Sequence, residues 1–143
     1  DRLGQESVQL CRHPHGSSVL KHFLEYGSAT YKEGIAQRLL PDMLLLSMHR
    51  VASHVIEKAF THCEISNTRE MVQTLLQATK PISLEEVACS RRGCCILAEI
   101  ADIGLCNSEL RLKLLKSCPR LGGSKFGRKV IQSYKLIPSI CTD

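Results

Sequence analysis

The chain has 143 residues, enough for one ordinary domain or a short repeat array, and its 43% hydrophobic content excludes a disordered tail. Aromatic residues make up only 4% and tryptophan is absent, which favours aliphatic helix packing over a β-sandwich or a sugar-binding site. The formal net charge of +5 permits a polyanionic partner without requiring one, so the positions of the basic residues matter more than their number.

Four segments along the chain share one pattern of small, polar and aliphatic residues. They are residues 16–24, 52–60, 93–101 and 127–135. Each opens with Gly or Ala, continues with two polar or small residues, and then has two aliphatic residues. The aliphatic pairs are Val19/Leu20, Val55/Ile56, Ile96/Leu97 and Val130/Ile131. In the first three segments a second apolar pair follows four positions later, and this spacing predicts one buried face of an α-helix.

Each segment is flanked by apolar stretches that predict two further helices. Short helices are predicted just before three of the segments, at residues 7–10, 43–46 and 84–88. A second long helix is predicted after the first three segments from their leucine-rich patterns. These patterns are Ile35/Leu39/Leu40, Met71/Val72/Leu75/Leu76 and Leu110/Leu114/Leu115. Asp42, Thr68 and Ser83 are predicted N-caps, and Pro81 predicts a loop insertion at residues 78–82.

The chain is therefore expected to be one array of about four stacked units, because a single unit cannot bury its own apolar face. The predicted units cover about residues 1–40, 41–82, 83–118 and 119–143. Because the sequence begins with Asp1, we expect a piece of a longer protein. No run approaches the ~18 apolar residues of a membrane span, so no membrane association is expected.

The eight cysteines invite a disulfide or zinc interpretation, which their spacing does not favour. No pair is spaced C-x-x-C, and Cys94 and Cys95 are adjacent on a predicted helix, where they point about 100° apart. Reduced thiols in a reducing compartment are expected. Cys11 with His13 and His15 lacks a second ligand pair, so no metal site and no cofactor are expected.

Two stretches carry a resemblance to a known family. Residues 49–58 (HRVASHVIEK) resemble the Ser-(Asn/His)-x-x-Glu stretch of the PUF, or Pumilio-type, repeat, and residues 12–20 (RHPHGSSVL) are similar to its His-Pro-x-Gly form. The resemblance implies an all-α fold, a right-handed α-solenoid of three-helix repeats with a basic concave face. It also implies binding of single-stranded RNA, about one base per repeat, by side chains of the first long helix.

In the second repeat, the resemblance assigns Ser53 and Glu57 to the edge of a base and His54 to stacking on its face. Residues i and i+4 lie one above the other on a helix, so together they can meet one base edge. An ionised Glu offers only acceptors, which suits the two N–H donors of guanine. The alternative is that Ser53 is only a helix N-cap, with Glu57 a charge in the first turn.

The other repeats match this pattern less well. The corresponding triplets are Ser17, Ser18 and Lys21 in the first repeat, Cys94, Cys95 and Ala98 in the third, and Arg128, Lys129 and Gln132 in the fourth. Lys21 could face a base acceptor or a phosphate, and Gln132 could pair with a base. The third repeat has neither an edge reader nor a stacking side chain, which predicts partial readout assisted by backbone contacts.

Basic residues recur near the starts of the predicted base-reading helices. They are Arg12, Lys21, Arg50, Lys58, Arg91, Arg92, Lys125, Arg128 and Lys129. A basic stripe in phase with the repeat is what phosphate tracking requires, although such residues also keep a helical surface soluble. Glu25 and most other glutamates lie outside these clusters in the sequence, which predicts charge separation between faces.

Two later stretches favour one subfamily. Residues 89–99 and 126–136 resemble repeats of nucleolar protein nine, which implies precursor ribosomal RNA, partner subunits of a pre-ribosomal particle, and the nucleolus. The alternatives are a cytoplasmic PUF-type regulator of messenger RNA and a protein-interaction scaffold of the armadillo or HEAT type. No catalytic motif is visible, so neither an enzyme nor a small-molecule substrate is expected.

Overall fold

The computed structural model describes residues 9–77, 83–105 and 108–136, and all regular structure in these ranges is helical. In chain order the α-helices are α1 (Pro14–Tyr26), α2 (Ala29–Leu39), α3 (Met43–Met48), α4 (Ala52–His62), α5 (Ile65–Gln77), α6 (Leu84–Ala88), α7 (Arg91–Asp102), α8 (Ser108–Lys116), α9 (Cys118–Leu121) and α10 (Lys125–Ser133). A short 3₁₀ helix, Leu40–Asp42, joins α2 to α3. No helix in the described part is long and apolar enough to span a membrane.

The helices form two stacked layers. The inner helices α1, α4, α7 and α10 pack one against the next in that order, and the outer helices α2, α5 and α8 do the same. The short helices α3, α6 and α9 each lead into an inner helix. One continuous apolar core runs through all the units. The all-α solenoid of three-helix repeats predicted from the sequence is therefore confirmed.

The small residue that opens each inner helix is required by the short helix before it. A Cβ atom added at Gly93 would be closer to the backbone carbonyl oxygen of Val87 than van der Waals contact allows. A Cβ atom added at Gly127 would clash in the same way with the carbonyl oxygen of Leu121. Gly16 is crowded by backbone in the same way. At Gly16, Gly93 and Gly127 the repeated small residue thus marks the point where two backbone segments are in contact.

The apolar face of the first inner helix is only partly buried. Leu20 and Leu24 are buried, whereas Val19 and Phe23 are 50% and 41% exposed. The corresponding Val55 of α4 is fully buried. The prediction of a fully buried face was wrong at these positions, because no described unit packs on that side of α1.

The helix starts differ in part from those predicted. Ser83 caps α6 as expected, accepting from the amide of Glu86. Asp42 stands at the cap position of α3 without a side-chain cap bond. Thr68 was wrong as a cap, because α5 begins at Ile65 and the Thr68 hydroxyl donates to the Ile65 carbonyl from inside the helix.

Other predictions fall at the edges of the described ranges. Residues 9–12 are helical, but residues 7 and 8 of the first predicted short helix lie outside the description, as do the insertion at residues 78–82 and Pro81. The short helix α9 was missed, because Pro119 obscures its apolar pattern. Cys11, Cys63, Cys89, Cys94 and Cys95 form no disulfide among the described residues.

Candidate nucleic-acid interface

Three successive inner helices line one surface groove. Its walls include Lys21 from α1, His54 and Glu57 from α4, and Glu99 from α7, around a volume of about 230 Å³. The stacking of the inner helices therefore brings the predicted readout positions of the first two repeats together. Glu99 was not predicted to belong to this surface.

The centre of the second readout triplet is occupied by an arginine from the next repeat. Nε of Arg92 donates to Oγ of Ser53 across 2.9 Å, and its Nη2 donates to the carboxylate of Glu57. The same Nη2 lies 3.4 Å from Nδ1 of His54. All three predicted guanine-reading residues thus contact one guanidinium, which the sequence analysis had assigned to the basic stripe.

Exposure separates the three residues of this triplet. Ser53 is fully buried, while the side chains of Glu57 and His54 are 28% and 50% exposed. His54 is therefore available for stacking on a base. A base edge can reach the buried Ser53 only if the Arg92 guanidinium moves away, and Arg92 also competes for the Glu57 carboxylate. The roles of these residues in readout stay predictions.

Ser53 is not a helix N-cap. Its amide already donates to the carbonyl of His49, and its hydroxyl accepts from Arg92. Nδ1 of His49 instead accepts from the amides of Val51 and Ala52 at the start of α4. The capping alternative for Ser53 is thereby wrong, because α4 begins at Ala52 and Val51 stands at its cap position without a side-chain cap bond.

The imidazole of His54 is biased toward its neutral form. Burial lowers its pKa below the ordinary 6.5, and the nearby charge of Arg92 lowers it further. Glu57 acts in the opposite direction, and Lys21 adds a smaller lowering. A neutral ring at pH 7 suits stacking on a base more than an ion pair with a phosphate.

The first repeat directs its hydroxyls into its own helix. Ser17 and Ser18 both donate to the carbonyl of Pro14, across 2.9 and 3.1 Å. Ser17 is buried and Ser18 is exposed. Lys21 is half-buried at the groove and is the side chain of this triplet placed beside the second repeat.

The third repeat has no edge reader, as the sequence indicated. Cys94 is buried and its thiol donates to the carbonyl of Arg91, while Cys95 is half-buried beside the ammonium of Lys129, 3.5 Å away. Burial, and then the neighbouring Cys95, raise the pKa of Cys94 to about 11. Ala98 is half-buried and offers no hydrogen bond from its side chain.

The fourth repeat presents polar side chains to solvent. Arg128, Lys129 and Gln132 are all exposed, and Arg128 donates to the carbonyl of Gly122 across 3.2 Å. The fourth repeat is fastened to the third by Tyr134, whose hydroxyl donates to the buried carbonyl of Leu97 across 2.6 Å.

The basic stripe is interrupted by acids. Nζ of Lys58 lies 3.5 Å from the carboxylate of Glu25, and Arg92 pairs with Glu57. The predicted separation of charges was therefore wrong at Glu25, because the stacking of α1 on α4 brings this residue to Lys58. Arg12, Arg50 and Arg91 are exposed. Among the described residues, no group of three or more His, Cys, Asp or Glu side chains could bind a metal ion.

A sequence profile described as "Pumilio-family RNA binding repeat" matches residues 7–40 and 42–76. Residues 7–40 and 42–76 are therefore similar to Pumilio-family repeats. These two matches coincide with the first two predicted repeats, the ones whose sequence resemblance was strongest. Comparison with curated proteins gave no match.

Solved PUF structures share the fold of the whole array. The Puf3 RNA binding domain bound to Cox17 RNA 3′ UTR recognition sequence site A matches with a TM-score of 0.76 at 20% identity, over 92% of this chain and 38% of that one. PUF-8 in complex with PBE-RNA matches with a TM-score of 0.78 at 14% identity, over 93% and 38%. The RNA-binding domain of yeast Puf5p bound to AAT2 RNA matches with a TM-score of 0.51 at 13% identity, over 96% and 50%. This chain thus spans half or less of each matched PUF domain.

The residues of the interface differ in how far the sequence revealed them. Lys21, His54 and Glu57 were found from their repeated spacing. Arg92 was found only as a basic residue, and its true partners were missed. A signal was present, because Arg92 stands 35 positions after Glu57, close to one repeat length.

Proposed function

We propose that this PUF array binds single-stranded RNA along its stacked inner helices. The observation that carries the proposal is the groove in which Lys21, His54 and Glu57 meet, at matching positions of two Pumilio-family repeats. Lys21 supplies a positive charge for a phosphate or a base acceptor. His54 supplies an exposed ring that stacks on a base.

Guanine recognition in the second repeat depends on where Arg92 goes. When Arg92 leaves, the Glu57 carboxylate accepts from the N1–H and N2–H groups of guanine, and Ser53 completes the edge. Guanine then replaces charge-assisted hydrogen bonds that the free protein already makes. The net preference for guanine is therefore smaller than the contacts with the base alone suggest.

We further propose that the target is precursor ribosomal RNA in small-subunit assembly, in the nucleolus and alongside other subunits of a pre-ribosomal particle. Two features support this target. Residues 89–99 and 126–136 resemble nucleolar protein nine, and the third repeat has no side chain that reads a base edge. An array that leaves one base unread suits a structured precursor RNA more than a short, strictly defined element.

The alternative target is messenger RNA in the cytoplasm. It is favoured by the Puf3 structure, in which the bound RNA is a recognition sequence from the Cox17 3′ UTR. Ultraviolet cross-linking of the full protein in cells, followed by sequencing of the attached RNA, separates the two targets. Sequencing reads from precursor ribosomal RNA are expected. Reads concentrated in 3′ UTRs would instead identify messenger RNA as the target.

RNA binding itself is tested by filter-binding titration with single-stranded RNA at two salt concentrations. Affinity is expected to fall steeply as salt rises, because each neutralised phosphate of a single strand contributes about −0.7 to the slope of log K against log salt. Absence of binding at low salt would contradict the proposal that this array binds RNA. Equal affinity at both salts would also contradict a phosphate-tracking surface.

Readout by the second repeat is tested with the double variant Ser53→Ala/Glu57→Gln. Selection from random RNA should lose its preference for guanine at one position, while overall affinity changes little. The matched control is Ser66→Ala/Glu70→Gln, because both residues are exposed on the outer helix α5 and have the same i, i+4 spacing. The control should keep the wild-type preference, and an unchanged preference in both variants would exclude readout by Ser53 and Glu57.

A further inference from the structure

A cleft with a basic lining lies between the third and fourth repeats. It encloses about 540 Å³ between the first turns of the inner helices α7 and α10. This volume lies within the ~300–1,000 Å³ of typical ligand pockets. Its lining contains Arg91, Arg92, Lys125 and Lys129, and no acidic side chain among the described residues.

Three of these four cationic side chains form no ion pair with a described acidic residue. Arg92 is paired with Glu57, but the described ion pairs include neither Arg91, Lys125 nor Lys129. All three are exposed, and among the described residues the Lys129 ammonium has a thiol, a weak acceptor, as its hydrogen-bond partner. The groove lined by α1, α4 and α7, in contrast, contains both Glu57 and Glu99. The cleft is therefore the stronger attractor of an anion.

The remaining walls of the cleft are uncharged and suited to the face of a base. Phe126 and Cys95 are both half-buried there, and Cys94 lies behind them. An aromatic ring holds any base by stacking, because every base has a π-face. No carboxylate or amide side chain lines the cleft to read a base edge.

We propose that this cleft holds one nucleotide of the RNA strand without reading its identity. The phosphate lies against Arg91, Lys125 and Lys129, and the base stacks on Phe126. This inference rests on RNA binding and assigns the third repeat, which lacks a readout triplet, a role as an anchor. The strand is then read beside His54 and held by its backbone one repeat further along.

The phosphate contacts are tested with the double variant Lys125→Gln/Lys129→Gln and single-stranded RNAs of equal length and different sequence. Affinity should fall by the same factor for every sequence, and the salt slope should become shallower by up to about 0.7, the contribution of the one phosphate that these cations neutralise. The control Arg69→Gln/Lys116→Gln removes the same charge from exposed positions of the outer helices. It should leave the slope unchanged.

The stacking contact is tested with Phe126→Leu, which keeps the apolar packing of the side chain. Affinity should fall at every salt concentration with no change in slope, because stacking does not release counterions. Melting temperatures of all variants confirm that the fold is intact. Uridine monophosphate alone at the concentration of the RNA should fail to compete, because a single nucleotide lacks the contacts of the neighbouring repeats.

The outcomes separate this inference from the proposed function. If the wild-type chain binds RNA but Lys125→Gln/Lys129→Gln keeps its affinity and slope, the cleft is not an RNA anchor although the array binds RNA. Loss of affinity for one sequence alone overturns the claim that identity is not read. Competition by equimolar uridine monophosphate assigns the cleft to a free nucleotide instead. If the wild-type chain binds no RNA, both proposals fail.

Discussion

Nε of Arg92, in the third repeat, lies 2.9 Å from the hydroxyl oxygen of the fully buried Ser53 in the second. The same guanidinium reaches Glu57, so one side chain satisfies two polar groups across a repeat boundary. Hydrogen bonds to charged groups contribute about 1.5–3 kcal/mol to stability, more than neutral ones. This link is therefore both a tie between repeats and an occupant of the predicted base-reading site.

Arg92→Met should lower the free energy of unfolding by about 1–3 kcal/mol, because it leaves Ser53 and Glu57 without their charged partner. Urea denaturation followed by circular dichroism measures this change. The control Arg91→Met removes an exposed neighbour with no described ion-pair partner, and should shift stability by no more than about 0.5 kcal/mol. Equal effects of the two variants would show that the Arg92 contacts contribute no stability.

The pKa of His54 should rise in Arg92→Met, because the charge of Arg92 is the second-largest cause of its lowering after burial. Lys21→Gln should raise it less, since Lys21 is the smallest of the causes. Titration of the imidazole C–H signals by nuclear magnetic resonance gives both values. A larger rise in Lys21→Gln than in Arg92→Met would contradict the geometry of the triplet.

The lowered pKa of His54 also predicts a pH dependence of folding. Between the folded value and the ordinary 6.5, the unfolded chain binds more protons than the folded chain, so stability falls as the pH drops through this window. In Arg92→Met the window narrows and the loss on acidification becomes smaller. Unfolding titrations at several pH values between 7 and 5 compare the two chains over this approximate range.

Gly93→Ala should destabilise the chain by about 1–3 kcal/mol, the usual cost of overpacking, because the added Cβ meets the backbone of α6. The control is Gly34→Ala in the outer helix α2, where the nearest atom to an added Cβ is the end of the Arg38 side chain, 4.0 Å away. There the change should stabilise the helix by about 0.5–1 kcal/mol. Thermal unfolding of both variants is the measurement, and destabilisation by Gly34→Ala to the same extent would remove the role of close backbone approach.

Tyr134→Phe should cost about 0.5–1.5 kcal/mol, because it removes the donor to the buried carbonyl of Leu97 while keeping the ring. The exposed Tyr26 provides the control, and Tyr26→Phe should be neutral within about 0.5 kcal/mol. Native-state hydrogen exchange should show faster opening of α10 in Tyr134→Phe. No change in exchange of α10 would mean that this bond does not hold the fourth repeat in place.

The helices were predictable because their apolar residues recur with the helical period. Val55 and Ile56 lie on a face that the sequence pattern alone defines, and both are fully buried. The small opening residue was found as a pattern, but its cause was not visible, because the backbone of α6 meets Gly93 only in three dimensions. Thr68 was misplaced as a cap because polar residues near a helix start look alike in sequence.

The sequence predicted which positions of α4 form the candidate site, but it did not predict which side chains these residues contact. The spacing placed Ser53 and Glu57 on one side of α4, but it did not reveal the stagger between α4 and α7. That stagger decides which side chain of the third repeat lies over the triplet, and it brings Arg92 there. The packing of α10 on α7 likewise brings Lys129 beside Cys95, a pairing that neither residue type suggests.

The side-chain hydrogen bonds between neighbouring repeats join residues with similar separations in the sequence. Ser53 and Arg92 are 39 positions apart, Leu97 and Tyr134 are 37 apart, and Cys95 and Lys129 are 34 apart. Each such bond therefore ends within the next unit. If one whole unit were duplicated, the bonds between all remaining neighbouring units would still find their partners. An array of this design can therefore lengthen by tandem gene duplication without simultaneous changes elsewhere in its core.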